Sequence, residues 1–217
     1  MSLEDFIKLA RENVIKMFDE FKAERGDARL LIAGHPVTIV PTDGIVEMLF
    51  TSAKTFGDMG ARVFTYLIGK GMGYKMAQHL ISRFNLKDPM ERIIHGALFF
   101  EAAGLGLVDL LKIDLTNGEP FILWESPNSV FAEAPLNESN EEVKPPLCYF
   151  CAGYSAGWCE ASMGIRLDAG EVWCKAEKER EACRFIICKS EKLYREEINQ
   201  ENLKPATEYR DVIKLRI

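Results

Sequence analysis

Apolar residues near the start of the chain alternate at spacings of four and three. The series is Leu3, Ile7, Ala10, Val14, Met17 and Phe21. Because such positions share one face of a helix, they predict an amphipathic helix that runs to about Glu24. Ser2 can cap this helix, with Glu4 and Asp5 in its first turn. The apolar stripe packs either on the chain's own core or on a second copy in a homodimer.

The middle of the chain alternates between strand-like and helix-like patterns. The predicted elements are strands at 29–32 and 37–40, helices at 42–50, 56–84 and 89–103, and strands at 105–115 and 120–124. Asp88, Pro89 and Glu91 together mark a helix start, since they supply a cap, a first-turn proline and a capping-box acid. Asn117-Gly118 is a turn signal that joins the last two strands as a hairpin.

The remaining pattern predicts a short helix, a polar loop, a long helix, two strands and a charged tail. The short helix lies at 128–134, the loop at 135–146 and the long helix at 147–164. The two strands lie at 165–176 and 182–188, joined by a turn at Glu179. The tail at 191–217 contains a helix at 191–199 and a strand at 211–215. The order predicts an α+β fold, with an antiparallel sheet packed against helices and an N-terminal helix. Residues 1–27 would form that helix, a candidate dimer arm, and 28–190 one domain followed by an extension at 191–217.

Small residues recur at every fourth position in two of the predicted helices. They are Gly69, Gly73 and Ala77 in the first, and Gly153, Gly157 and Ala161 in the second. Small residues at this period let another element approach closely, within the chain or in a dimer. Glycine also lowers helix propensity, so a break near Lys70-Gly71 is a further expectation.

Charge and hydropathy exclude some classes of function. The net charge is −6, which disfavours direct nucleic-acid binding because the phosphate backbone attracts a basic face. No apolar run approaches the roughly 20 residues of a membrane span. Residues 1–5 are polar and unlike a signal peptide, so the expected location is cytoplasmic.

Six cysteines lie in the last third of the chain, at 148, 151, 159, 174, 183 and 188. Such a cluster without a signal peptide favours metal or redox chemistry. Cys174 and Cys183 would meet on paired strands, and a bulge at Gly170 could turn Glu171 towards them. With Cys148 from the preceding helix, three thiolates and one carboxylate would form a closed tetrahedral site, which suits structural zinc.

Two other interpretations of these cysteines stay open at this point. All six could be ordinary buried cysteines. Cys148 and Cys151 also form a C-x-x-C pair at a helix start, which is typical of redox sites.

The same region resembles the 4-vinyl reductase domain family. The family pattern is a Cys before a helix with the sequence G-Y-[AS]-x-G, a Met-Gly pair at the end of that helix, then E-x-x-C and a final Cys. In this chain the matching residues are, in order, Cys148, Gly153-Tyr154-Ser155 with Gly157, Met163-Gly164, Glu171 to Cys174, and Cys183. The resemblance assigns zinc to Cys148, Glu171, Cys174 and Cys183, within a metal-binding part at 147–190. It also implies a dimer, and a hydrophobic-ligand pocket like that of regulators that respond to aromatics.

The chain departs from those regulators at one position that matters for the ligand. They place a histidine in the helix before the first hairpin, where this chain has Phe100. Neither a P-loop nor a G-x-G-x-x-G sequence occurs, so no ATPase or nicotinamide site is predicted. The candidate pocket residues are Tyr66, Phe99, Phe100, Trp124 and Tyr154, each with core packing as the alternative.

The sequence therefore predicts a sensor-like protein that binds a small apolar or aromatic molecule. It would contain structural zinc, form a homodimer and have no catalysis of its own. Two alternatives remain open: a reductase or reductase accessory for a porphyrin-like or other apolar substrate, and a dimeric interaction scaffold.

Overall fold

The computed structural model describes residues 2–24, 27–133, 147–177, 180–193 and 213–216. The helices are α1 (Leu3–Asp19), α2 (Thr42–Phe84), α3 (Pro89–Ala102), α4 (Tyr149–Met163) and the short α5 (Ser190–Leu193). The strands are β1 (Lys22–Glu24), β2 (Arg29–Ile32), β3 (His35–Val37), β4 (Asp109–Asp114), β5 (Phe121–Ser126), β6 (Asp168–Trp173), β7 (Cys183–Cys188) and β8 (Ile213–Lys214). The predicted loop at 135–146, the turn at Glu179 and the tail helix beyond Leu193 lie outside these residues.

The main sheet has five antiparallel strands in the order β6-β7-β5-β4-β8. A separate three-stranded sheet has the order β1-β2-β3. Helix α4 packs on β6 and β7 of the main sheet, and α2 and α3 pack against α4, so the predicted α+β class is confirmed. Residues 130–133 are helical, within the short helix predicted at 128–134.

Two boundaries near the N-terminus differ from the prediction. Helix α1 ends at Asp19 rather than Glu24, because residues 22–24 pair with β2 in an antiparallel register. Ala33 and Gly34 both have positive φ, 50° and 80°, and make a tight two-residue turn. That turn starts β3 at His35, two residues earlier than the pattern predicted.

Glycine conformation sets two further boundaries. Gly57 has φ 71° and ψ 168° and interrupts α2, so there are two helical stretches as predicted, but the first continues through residues 51–56 and the break lies at Gly57 rather than between 50 and 56. The break expected at Lys70-Gly71 does not occur, since the helix runs through it. Gly104 and Gly106 have positive φ, so β4 begins at Asp109 instead of 105.

Helices α2 and α4 pack backbone against backbone. A methyl group at Gly73 would lie 2.1 Å from the carbonyl oxygen of Tyr154. One at Gly157 would lie 2.0 Å from the carbonyl oxygen of Lys70. Gly69 and Gly153 have equally close backbone neighbours on the facing helix. The close approach predicted from the small residues is therefore an intramolecular contact.

Because glycines occupy the face of α4 that contacts α2, the large side chains of α4 lie on its other sides. Phe150, Tyr154 and Trp158 stack at successive turns, with ring centroids 6.3 and 6.1 Å apart. The Trp158 indole lies over Gly96 of α3 and donates to the Arg92 carbonyl at 2.8 Å. This aromatic ladder is the main packing surface between α4 and α3.

Helix α1 packs on α3 within the same chain. Its stripe residues Ala10, Val14 and Met17 are buried, and Asn13 hydrogen-bonds the fully buried His95 at 2.9 Å. Most of the stripe that could have served a dimer is thus used in the core, although Leu3 and Phe21 at its ends are exposed.

The glycine contact predicts different effects for two neighbouring substitutions in α2. Gly73→Ala should reduce the free energy of unfolding by about 3 kcal/mol, because the new methyl group forces the two backbones apart. Gly71→Ala adds a methyl group with no heavy atom within 4 Å and should stabilise by about 0.5–1 kcal/mol. Urea unfolding followed by circular dichroism measures both. Equal stabilities for the two variants would contradict the packing described.

Candidate functional site

Four side chains from three parts of the chain converge beside the end of the main sheet. One ligand atom each from Cys148, Glu171, Cys174 and Cys183 lies within 4.8 Å of the others. All three cysteines are fully buried, and this group could hold a metal ion. The structure thus brings together the four residues that the sequence singled out for metal binding.

Local backbone features aim each member at the centre. Cys148 is the N-cap of α4, and Cys183 is the first residue of β7. The register between β6 and β7 shifts between Glu171 and Trp173, so a bulge is present, but it lies at Val172 and not at Gly170, which pairs regularly with Ile186. The extra residue, Val172, lets Glu171 and Cys174 face the same side despite being three apart in an extended segment.

The spacings within the cluster are those of neighbouring ligands rather than of disulfides. The Sγ atoms of Cys148 and Cys183 are 3.5 Å apart, and those of Cys183 and Cys174 are 3.9 Å apart. A disulfide needs about 2.05 Å. Backbone amides also point at the ligand atoms, from Cys148 to Glu171 Oε2 at 2.8 Å and from Lys175 to Cys183 Sγ at 3.3 Å.

Without a cation, the deprotonated forms of the cysteines and of Glu171 are unfavourable together, because their negative charges are buried and close to one another. Burial and the neighbouring Cys174 raise the pKa of Glu171 to about 9. Burial also raises the pKa of Cys148, while hydrogen bonds from the thiols of Cys148 and Cys183 lower the pKa of Cys174. Glu171 Oε1 is buried and has no hydrogen-bond partner among the described residues. A bound cation would pair with this oxygen and offset the mutual repulsion.

The other three cysteines are not members of the group. Cys151 lies nearby, since its Sγ is 3.7 Å from the Ser129 hydroxyl, which is 3.2 Å from Cys148 Sγ. Cys159 lies further along α4, where burial raises its pKa to about 12. Cys188 ends β7.

An apolar cavity of about 40 Å³ lies between α3, α4 and the inner face of the sheet. Its wall consists of Ile93, Gly96, Ala97, Phe100, Val108, Leu110, Ile122, Trp124, Tyr154, Ser155, Trp158, Cys159 and Ile187. Phe100 lies between two aromatic neighbours, 5.6 Å from Trp124 and 5.7 Å from Tyr154, with its ring edge-on to both. The cavity is larger than a single water site and smaller than an aromatic ring needs.

Two buried polar atoms of the wall residues are unsatisfied. Trp124 Nε1 and the Tyr154 hydroxyl have no hydrogen-bond partner among the described residues. The indole nitrogen can only donate, whereas the hydroxyl can donate and accept. Burial raises the pKa of Tyr154, so the hydroxyl stays neutral. Each unsatisfied group costs about 1–3 kcal/mol of stability, which a suitable ligand atom would recover.

The five predicted pocket residues do not all meet. Phe100, Trp124 and Tyr154 line the cavity, but Phe99 and Tyr66 are not part of its wall. Phe99 points to the other side of α3, where it stacks with Phe18 at 6.2 Å. Helix α3 turns by about 100° per residue, so the side chains of the adjacent Phe99 and Phe100 leave it in different directions.

Tyr66 belongs instead to a polar network that ties α2 to β6. Its hydroxyl donates to Asp168 at 3.0 Å, and Lys70 donates to the same carboxylate at 2.6 Å. Ser190 contacts the other oxygen of Asp168. Burial alone would raise the pKa of Asp168, but the hydrogen bonds from Lys70, Ser190 and Tyr66 outweigh it and lower the pKa. The network holds the strand that carries Glu171 against α2.

A second and larger space lies on the other side of Tyr154. This groove has a volume of about 1130 Å³ and runs between α2, the small sheet and the end of α3. Its walls include Phe99, Phe150 and Tyr154, and its mouth includes Ile39, Val40 and Leu67. Tyr154 therefore borders both spaces.

Several wall residues were missed, yet the sequence carries a signal for them. Ile93, Ala97 and Phe100 follow helical spacing in α3, and Ile122 and Trp124 alternate in β5. The apolar spacing that predicts each helix or strand therefore also predicts which of its residues face the core. It does not predict which helix and strand faces lie opposite one another.

Comparison with known proteins identifies a shared fold. The phenol-responsive sensory domain of the transcription activator PoxR, crystallised with phenol, superposes with a TM-score of 0.73 at 16% sequence identity. The match covers 90% of this chain and 97% of that domain. No protein-family model matches the chain, and no curated protein matches it either. Among the described residues, the helices are too short or too polar to cross a membrane.

Proposed function

We propose that this protein is a sensor-like, homodimeric domain of the 4-vinyl reductase type that binds a small aromatic molecule and has no catalysis of its own. The observation that carries the proposal is the apolar cavity whose lining residues Trp124 and Tyr154 each have a buried polar atom, Nε1 and the hydroxyl, without a hydrogen-bond partner among the described residues. An aromatic ring with one hydroxyl or carbonyl group matches both features. The fold shared with a phenol-responsive sensory domain supports the same ligand class.

The size of the cavity requires that a ring-sized ligand displace something. An engineered apolar cavity of about 150 Å³ binds benzene, whereas this one is about 40 Å³. Phe100 is the obstacle, because its ring lies between Trp124 and Tyr154. In our proposal Phe100 swings aside when the ligand enters, and the polar group of the ligand then reaches the two unsatisfied atoms.

We infer that the cysteine cluster holds structural zinc. A tetrahedral site with Zn–S bonds of about 2.3 Å places its sulfur atoms about 3.8 Å apart, and the measured Sγ separations are 3.5 and 3.9 Å. Three thiolates with one carboxylate fill four positions and leave none for a substrate. Zinc there would fix the start of α4 and the β6-β7 pair, and it takes no part in ligand chemistry.

A scaffold without a ligand is the second candidate. The edge-on packing of Phe100 against Trp124 and Tyr154 favours it, because that packing already fills most of the space between them. The two candidates differ in whether any ring-sized molecule enters the cavity.

The ligand proposal predicts a preference set by one hydrogen-bonding group. Phenol should bind more tightly than toluene, which has a similar size and no hydroxyl group, because only phenol satisfies the wall atoms. Tyr154→Phe and Trp124→Phe should each weaken phenol binding about tenfold or more and leave toluene binding nearly unchanged. Isothermal titration calorimetry measures all of these affinities.

Tyr74→Phe is the matched control for this series, because Tyr74 lines the outer groove and not the cavity. It should bind phenol like the unaltered protein. Loss of phenol binding in Tyr74→Phe alone would indicate that phenol binds in the groove and not in the cavity. Absence of binding by both phenol and toluene would favour the scaffold.

The metal proposal predicts one zinc ion per chain. Structural zinc contributes on the order of 10 kcal/mol to folding, so Cys174→Ser should lose zinc and fail to fold. Cys188→Ser removes an equally buried thiol outside the cluster and should keep both zinc and fold. Elemental analysis with circular dichroism measures both variants.

Chelation of the unaltered protein gives the same test without a substitution. A strong chelator should remove the zinc and lower the melting temperature together. Purified protein with no zinc, or Cys174→Ser with a normal melting temperature, would refute the metal assignment.

A further inference from the structure

Helix α2 presents an exposed row of large apolar side chains on its outer face. Phe56 is 60% exposed, Met59 71%, Val63 52%, Phe64 41% and Leu67 59%. These five residues are called the α2 stripe. Phe56 lies just before the Gly57 break, and the other four follow the spacing i, i+4, i+5 and i+8 from Met59, so those four share one side of the helix. The rings of Phe56 and Phe64 are in contact at 5.9 Å, which makes the stripe continuous.

The stripe cannot turn inward to bury itself. The opposite side of α2 is fixed against α4 by Gly69 and Gly73, where not even a methyl group fits. Tyr66 and Lys70, which lie at the edge of the stripe beside the glycine face, bind Asp168. Rotation of α2 would break both contacts, so the packing within this chain forces the stripe outward.

We infer that the α2 stripe is the docking surface for a second copy of this chain. The inference rests on the proposed homodimer and locates its interface on α2. Apolar residues at helical spacing are the contact surface of packed helix pairs, and the same stripe on two copies can pair about a twofold axis. The terminal helix α1, the other candidate arm, has buried most of its stripe on α3.

The area of this surface fits a stable dimer. A standard interface buries about 800 Å² on each partner. Large apolar residues expose roughly 100 Å² each at half exposure, so the stripe with its neighbours Ile39, Val40 and Met72 approaches that area. Ile39 is 72% exposed, Val40 50% and Met72 53%. A single-chain protein rarely exposes so large a continuous apolar patch.

A lipid surface is a poorer match for the stripe. Helices that lie on membranes carry a basic face opposite the apolar one. In α2 the opposite face is glycine packed on α4, and the chain as a whole has a net charge of −6. A second protein surface needs neither feature.

Docking at the stripe would also affect the groove. Leu67 belongs both to the stripe and to the groove lining that extends to Tyr154. A partner seated on the stripe therefore covers the part of the groove that Leu67 lines.

Light scattering on the full chain tests the interface. The unaltered protein at micromolar concentration should have twice the chain mass of 24.6 kDa. Combined Val63→Glu and Leu67→Glu substitutions should give the single-chain mass, with an unchanged circular dichroism spectrum. Ile15→Glu is the control, since Ile15 is similarly exposed, at 49%, but lies on α1. It should remain dimeric.

The outcomes separate this inference from the rest of the account. If the double variant stays dimeric, the interface lies elsewhere and the proposed homodimer stands. If the unaltered protein is monomeric, both fail, while phenol binding is judged independently. Monomeric protein that binds phosphatidylcholine vesicles through the stripe would overturn the second copy as its occupant.

A cysteine variant tests the same interface if charged residues cause aggregation. Val63→Cys at the centre of the stripe should form a disulfide-linked dimer under mild oxidation with diamide. Ile15→Cys should not, and the native cysteines are buried. Equal cross-linking of the two variants would contradict the interface.

Discussion

Gly73 and Gly157 lie where two helix backbones touch, and any side chain there would collide with a carbonyl oxygen about 2 Å away. This contact fixes the rotation of α2 and of α4. On α4 it leaves Phe150, Tyr154 and Trp158 on another side of the helix, where they stack as a ladder, and Tyr154 and Trp158 of this ladder line the cavity. On α2 it directs Val63 and Leu67 outward. The cavity and the exposed stripe are thus two consequences of one steric constraint.

Helix α4 also links the cysteine cluster to the cavity. Cys148 caps the helix, and Tyr154 lies fewer than two turns further along it. The partners of Cys148 sit on β6 and β7, and β7 in turn pairs with β5, which carries Trp124. A metal ion in the cluster would therefore hold in register the helix and the strand that supply Tyr154 and Trp124. In this account the metal supports the ligand site from a distance and does not touch the ligand.

Local signals in the sequence predicted the parts of the structure that depend on few residues. The Asp88 cap and the glycine faces were predicted correctly, because each follows from residues close together in the chain. A bulge beside Glu171 was also predicted, but at Gly170 rather than at Val172. The failures concern long-range pairing. Residues 22–24 form a strand only because β2 is there to pair with them. Tyr66 turned out to bind Asp168, a partner 102 positions away, and no spacing along the chain indicates such a contact.

A crystal structure of the zinc-loaded protein grown with phenol would show whether a ring-sized ligand enters the cavity. We expect phenol there, with its hydroxyl group within hydrogen-bond distance of Trp124 Nε1 and the Tyr154 hydroxyl, and with the Phe100 ring rotated out of its present position. A structure in which Phe100 keeps its place between Trp124 and Tyr154, and phenol is absent or lies only in the outer groove, would contradict it.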